Sequence, residues 1–299
     1  MNIITLTLNP CIDITNWVSR FGGPTLRSEA QTGGKGINVA RVLGNLGVSA
    51  AAVCPLGGET GARFRALARA EGITLADVEV AAPTRVITTW AQEDTFAQRV
   101  DYERGGALTE AELDRLEERL FACLPGAEVL AICGSASCEA AALRVPGIIR
   151  RARAMGVKVL LDSNGPALIH GAEALPDLIK PNEDELCALT GISDDPSRAA
   201  AELVRAGIGN VLVSLGAKGC MLATCDGEEY CPAPRVETVN PVGSGDSFVA
   251  GFLYASLKGY ANKGCLMIAC AAGAVNAAMF PAARVERGQL EEIMGMKLL

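Results

Sequence analysis

Short apolar runs alternate along the chain with segments whose apolar residues recur at helical spacing. Runs of strand length fall at 3–8, 50–56, 129–133, 157–162, 178–180 and 211–215. Among the helical segments, 110–124 has the clearest register: Leu113, Leu116, Leu120 and Leu124 share one face, and Thr109 with Glu112 forms a capping box at its start. This alternation predicts an α/β fold in which a mostly parallel sheet is covered by helices on both faces. Two stretches, 11–32 and 84–104, break the rhythm. In the second, Arg85 to Trp90 and Phe96 to Tyr102 flank the polar turn Gln92-Glu93-Asp94. Both stretches read as antiparallel strands inserted into the α/β framework, able to pair into a small β-sheet lid. The expected division is a core of 1–10, 33–83 and 105–299, with 11–32 and 84–104 as the lid. No repeat of 20–50 residues and no low-complexity tether interrupts the core.

Composition narrows the function classes. The 299 residues include 27 Lys and Arg against 34 Asp and Glu, a formal net charge of −7. That balance excludes a broad nucleic-acid surface, which needs clustered cations. Hydrophobic residues at 49% with 20% charged residues exclude a disordered chain. Aromatics are only 4% and glycines number 33, which suits close helix-on-sheet packing. The longest apolar run, 265–275, is too short to cross a bilayer, which takes about 18 residues or more. Met267 and Met279 sit among Ala and Ile at helical spacing and are expected in the core. Eleven scattered cysteines without a Cys-x-x-Cys pair read as reduced core thiols rather than a disulfide framework or zinc site. With no basic flank or cleavage site before the first apolar run, they point to a cytoplasmic location.

The segment Asn240-Pro241-Val242-Gly243-Ser244-Gly245-Asp246 runs into an apolar stretch of helical character. Glycines at a helix N-terminus leave backbone N–H groups free to receive an anion, such as phosphate or the charge on a transferring phosphoryl group. Asp246 at that mouth has two available roles, a helix cap or the acceptor of a proton from an attacking hydroxyl. A second glycine-opened helix starts at Gly33-Gly34-Lys35-Gly36-Ile37-Asn38. It is not a Walker A loop, because Gly36 stands where the magnesium-holding Ser or Thr belongs. A dinucleotide fingerprint is also absent. His170, the single histidine, lies in a polar connection and reads as solvated or capping.

These motifs occur in an order that resembles the ribokinase-like carbohydrate kinases, the phosphofructokinase B family. The matching residues are Thr7 to Asp13, Gly33 to Leu43, Gly57 to Gly61, Thr84-Arg85, Gly134-Ser135, Lys180 to Glu185, Ser214 to Gly219 and Gly243 to Asp246. The likeness is greatest to the branch holding 1-phosphofructokinase, tagatose-6-phosphate kinase and the minor 6-phosphofructokinase. It implies a Rossmann-like core with a β lid, and transfer of the ATP γ-phosphoryl group to a hydroxyl of a sugar phosphate, most simply a ketohexose monophosphate. By the resemblance Asp246 is the catalytic base, and the amides of Gly243, Ser244, Gly245 and Asp246 form the anion hole. Asp13, Gly34, Lys35, Asn38 and Ser135 match the sugar pocket. Ser214, Gly216 and Gly219 match the nucleotide turn, and Asn182 with Glu185 matches an element that organises phosphate and Mg²⁺, for Glu185 through water. Arg27, Arg85 and Arg99, with Lys35, are expected to converge on the acceptor's phosphate. A homodimer through the exposed lid edge is also implied.

The chain departs from the branch pattern in the lid. Ile87 and Thr89 stand where Asn and Lys are usual, Arg99-Val100-Asp101 replaces Glu-Ile-Asn, and Ala136 to Glu139 replaces Leu-Pro-Pro-Gly. Two alternatives follow: a ribokinase-type kinase of an unphosphorylated sugar or nucleoside, and a non-catalytic sugar-phosphate sensor.

Overall fold

The computed structural model describes residues 1–299. Its central sheet has nine strands in the order Gly227–Cys231, Cys220–Thr224, Asn210–Ser214, Leu178–Ile179, Lys158–Asp162, Val129–Cys133, Ile3–Leu6, Ala50–Val53, Thr74–Leu75. The last seven are mutually parallel, and the first two form an antiparallel hairpin at one edge. Side chains alternate across this sheet as strand geometry requires. Leu130 and Ile132 face a core shared with the helices Glu110–Cys123 and Glu139–Ala154, while Ala131 and Cys133 face the helices Ser244–Leu257 and Asn262–Ala277. The fold is thus Rossmann-like, a mostly parallel sheet sandwiched between two helical layers.

The Glu110–Cys123 helix has the predicted capping box, and its stripe Leu113, Leu116, Leu120 and Leu124 is at most 3% exposed. Burial of each contributes about 1.5–3 kcal/mol. The apolar run 265–275 lies within the Asn262–Ala277 helix, packed on Ser244–Leu257. Met267 is the exception there: it is 40% exposed, on the outer face of a helix whose inner face is saturated with Ala and Cys. No helix is long and apolar enough to cross a membrane.

Over one end of the core lies a separate four-stranded sheet, ordered Thr25–Gly33, Cys11–Val18, Arg85–Gln92, Gln98–Tyr102. Each inserted stretch is antiparallel within itself, but the two join through parallel pairing of Cys11–Val18 with Arg85–Gln92. The lid is pinned to the core by Trp17, Phe96 and Phe280, whose ring centroids lie 4.7–6.5 Å apart. The expected strand at 50–56 is two strands. Ala50–Val53 belongs to the main sheet, and Pro55–Gly57 pairs with Val78–Val80 in a small sheet of its own. Proline has no N–H to donate to a ladder, so the pairing partner changes there.

Candidate active site

The parallel strands end where open α/β sheets bind their ligands, at the carboxyl edge. Asp162 is the last residue of its strand, Lys180 follows Ile179, Ser214 closes the next strand, and Gly134 follows Cys133. Two helix N-termini point at this edge, Lys35–Asn45 and Ser244–Leu257.

Gly243 caps the second helix with φ 82°, the left-handed region that favours glycine. A Cβ there would lie 3.0 Å from Ala282 Cβ and 3.2 Å from Ala283 N. The amide of Ser244 donates to Pro241 O at 3.2 Å, whereas those of Gly243, Gly245 and Asp246 have no backbone partner. The predicted run of four amides is therefore a set of three, with Ser244 spent on the turn. The loop is held from behind by Asn276, whose Nδ2 donates to Val242 O at 2.8 Å and to Ser244 Oγ at 3.0 Å.

Asp246 is buried, and its Oδ2 accepts from Asn38 Nδ2 at 2.7 Å. Burial pushes its carboxyl up to about 6; Lys35, Asn38 and Lys180 oppose the rise and the nearby Asp162 adds to it. Beside it, Asp162 Oδ1 is 3.2 Å from both Lys35 Nζ and Lys180 Nζ. Burial alone would raise Asp162, but Lys180 and Lys35 overcome it and hold the carboxyl below its ordinary value. Asp162 also raises the proton affinity of Lys35, against burial and with help from Asp246 and Glu185. Two neighbouring carboxylates are thus driven apart, Asp246 at the helix start held up and Asp162 at the strand end held down.

Under the lid lies a cavity of about 200 Å³ whose walls include Asp13, Gly34, Lys35, Asn38, Arg85 and Asp246. Asp13 accepts from Cys11 Sγ at 3.2 Å, and burial raises its carboxyl. The chain at Gly33 packs against that carboxylate so closely that a Cβ would sit 2.3 Å from Asp13 Oδ2. Arg85 gives Nη2 to Asn9 O at 3.1 Å, while its Nε has no partner. Ile87, Thr89 and Val100 form the lid wall, with Asn240 from the start of the glycine segment and with Gln31 and Gln98, polar groups that belong to no motif.

Three predicted residues lie elsewhere. Arg99 is on the opposite face of its strand from Gln98, Val100 and Tyr102, paired with Asp101 at 3.1 Å over Trp90. Arg27 shares the parity of Gln31 but lies four residues further out, over Trp17 and 3.5 Å from Glu29. The expected convergence of four cations is therefore reduced to Lys35 and Arg85. Ser135 accepts from Asn9 Nδ2 at 3.2 Å, outside the cavity wall.

On the other side of Lys35, Asn182 and Glu185 form a reciprocal capping box: Asn182 Oδ1 accepts from Glu185 N at 2.7 Å, and Glu185 Oε2 from Asn182 N at 2.9 Å. Asn182 bridges to Ser214, and Gly216–Lys218 makes a single 3₁₀ turn closed by Leu215 N to Gly219 O at 2.8 Å. No three His, Cys, Asp or Glu side chains are grouped to hold a metal by themselves. The donor set still suits a hard cation completed by phosphate and water: Asp162 Oδ2 is buried without a partner, and Glu185 keeps Oε1 outside the capping box. Sequence reasoning ended strands at Asp162 and Lys180 but did not join them, because only the sheet order makes them neighbours.

An anion-receiving helix start, a proton-accepting aspartate at its mouth and a lid-covered cavity lined by Asp13, Lys35, Asn38 and Arg85 define a phosphotransferase with an alcohol acceptor. The pfkB family carbohydrate kinase model matches residues 7–280, and the chain belongs to that family, whose members use ATP as phosphoryl donor. It is 30% identical to 1-phosphofructokinase of Vibrio cholerae, across 97% of this chain and 94% of that protein. With the ATP-dependent 6-phosphofructokinase isozyme 2 of Escherichia coli it shares 36% identity over 83% of this chain and 84% of the relative. The solved structure of Escherichia coli phosphofructokinase-2 in complex with substrates and products superimposes with a TM-score of 0.88 at 30% identity, covering 99% of both chains.

Proposed function

We propose that this kinase transfers the ATP γ-phosphoryl group to a hydroxyl of a sugar phosphate, a ketohexose monophosphate. The observation that carries this reading is that two cations, Lys35 and Arg85, line the same cavity as Asp13 and Asp246. Asp13 is suited to accept hydrogen bonds from sugar hydroxyls, and Arg85 to receive the acceptor's phosphate. Asp246 takes the proton of the attacking hydroxyl through the oxygen that Asn38 leaves free. The amides of Gly243, Gly245 and Asp246, at the positive end of their helix, stabilise the charge on the transferring group. Lys35 bridges the acceptor and nucleotide sides, its ammonium fixed by Asp162. Ser214, Gly216 and Gly219 form the nucleotide turn, with Asn182 beside it. Glu185 and Asp162 would hold Mg²⁺ through water and the nucleotide. That ion, when bound, spreads the negative charge of the phosphates.

The reduced number of cavity cations, together with Ile87 and Val100 in the lid wall, favours the ribokinase-type alternative of an unphosphorylated acceptor. A kinase assay with coupled ADP detection over hexoses, pentoses, nucleosides and hexose monophosphates separates the two. The sugar-phosphate reading expects the highest kcat/KM with a hexose monophosphate, and faster turnover of a free sugar or nucleoside overturns it. The absence of ATP turnover with every acceptor would favour the sensor reading. The Thr25–Gly33 edge of the lid, exposed from Thr25 to Glu29, is the surface on which a second copy would pair to give a homodimer. All eleven cysteines are unpaired, and seven are buried, which fits a reducing cytoplasm.

A further inference from the structure

A guanidinium is buried behind the reacting centre, one side chain removed from Asp246. Arg41 is 3% exposed, on the same face of its helix as Asn38 one turn earlier. Its Nη1 donates to Asn38 Oδ1 at 2.7 Å. Its Nη2 donates to Thr32 Oγ1 at 2.7 Å, to Thr32 O and to Glu71 Oε2 at 2.9 Å, and its Nε to Glu71 Oε2 at 3.2 Å. Glu71 in turn receives Thr32 N at 3.0 Å and Thr32 Oγ1 at 2.6 Å. None of these groups touches the cavity wall except Asn38.

A guanidinium only donates, so the atom that Asn38 presents to Arg41 must be its oxygen. The amide NH₂ is thereby forced toward Asp246 Oδ2, at 2.7 Å. Were the amide reversed, its oxygen would face the carboxylate, an arrangement tolerated only when Asp246 carries a proton. We infer that Arg41, anchored by Glu71, is a positioning residue that fixes the Asn38 amide and through it the ionised state of Asp246 and the choice of its proton-accepting oxygen. This inference rests on Asp246 being the base.

The other charges facing Asp246 are Lys35 on the same helix as Asn38, and Asp162 and Lys180 from the strand ends. Asp13 and Arg85 face it across the cavity, and the thiols of Cys11 and Cys133 lie close by. The Asn262–Ala277 helix, packed along its side, has a single charged residue, Lys263, at its far end. Arg284 lies 3.5 Å from Glu71 Oε1, and Asp13 is the other charge near the Arg41–Glu71 pair.

The test is the pH profile of kcat/KM for Arg41→Met combined with Glu71→Leu. Removing both charges cancels their direct field on Asp246 and avoids leaving either ion buried alone. The substrate phosphate titrates in the same region, but equally for both enzymes. The acid limb is expected to move up by about one pH unit, the worth of one hydrogen bond to a charged group, with the plateau above pH 8 within about tenfold of wild type. In an Asn38→Leu background the same pair of changes should add no further movement. A folded double variant whose acid limb stays in place, or which loses rate equally at every pH, overturns the inference, as does an additive shift in the Asn38→Leu background. If the double variant does not fold, Arg41→Lys serves instead. A point ammonium cannot hold Asn38, Thr32 and Glu71 together, so the limb should move the same way by about half a unit, and an unmoved limb overturns the inference. Wild-type turnover by Asp246→Asn would instead remove the base itself, a separate failure.

Discussion

Replacing Asp246 by Asn should cost activity and increase stability. The side chain keeps its size and its bond from Asn38, but it no longer takes a proton, so kcat should fall by about 10²- to 10⁴-fold. The stability gain follows from burial. The carboxyl is pushed up to about 6 from an ordinary 3.8, chiefly by desolvation. A rise of about two pH units, at about 1.36 kcal/mol per unit, is a penalty of about 3 kcal/mol on the folded enzyme when Asp246 is ionised. The sign is set by proton uptake. Between pH 3.8 and about 6 the folded chain binds this proton more tightly than the unfolded chain, so wild-type stability falls as pH rises through that window. Asparagine has no such dependence. Urea unfolding at equilibrium should therefore find Asp246→Asn more stable than wild type by up to about 3 kcal/mol at pH 8, with the gain vanishing near pH 4. A variant equally stable or weaker at pH 8 would refute the desolvation argument, and wild-type turnover would refute the assignment of the base.

Three further outcomes are expected. Arg85→Ala should raise KM for a hexose monophosphate by about 10- to 100-fold with little change in KM for ATP, while Arg27→Ala and Arg99→Ala, whose side chains lie off the cavity wall, should leave both within about twofold; steady-state kinetics with each substrate varied checks all three. Glu185→Gln keeps the capping box but loses a negative oxygen, so the Mg²⁺ concentration for half-maximal rate should rise; an unchanged titration and kcat would leave Glu185 as a helix cap only. Gly33→Ala would drive a methyl into the Asp13 carboxylate, so acceptor KM should rise at least tenfold with ATP binding retained, as measured by calorimetry.

Local order was readable because local chemistry imposes it. The strand Val129–Cys133 and the capped Leu113 to Leu124 stripe follow from runs that cannot be buried any other way. The glycine-opened helices of Lys35 and Ser244 were likewise written in the chain. Long-range register was not. Arg99 and Val100 differ by one residue and so lie on opposite faces, and which face meets the cavity depends on how Gln98–Tyr102 pairs with Arg85–Gln92. The parallel joining of the two insertions has no turn to announce it. The short strands Thr74–Leu75 and Val78–Val80 carry too few apolar residues for a period to show, whereas the Cys220–Thr224 and Gly227–Cys231 hairpin is marked in the chain by Asp226-Gly227 at its turn. The Lys35–Asp162–Lys180 cluster joins three distant segments that only the strand order brings together.

The central claim, phosphoryl transfer from ATP to an acceptor that already carries a phosphate, is tested most directly by ³¹P NMR of the enzyme with Mg²⁺, ATP and a ketohexose monophosphate. The account predicts a sugar bisphosphate and ADP in equal amounts, formed by wild type and at least a hundredfold more slowly by Asp246→Asn. Accumulation of ADP and inorganic phosphate without a bisphosphate, or faster product formation from a free hexose under the same conditions, would contradict it.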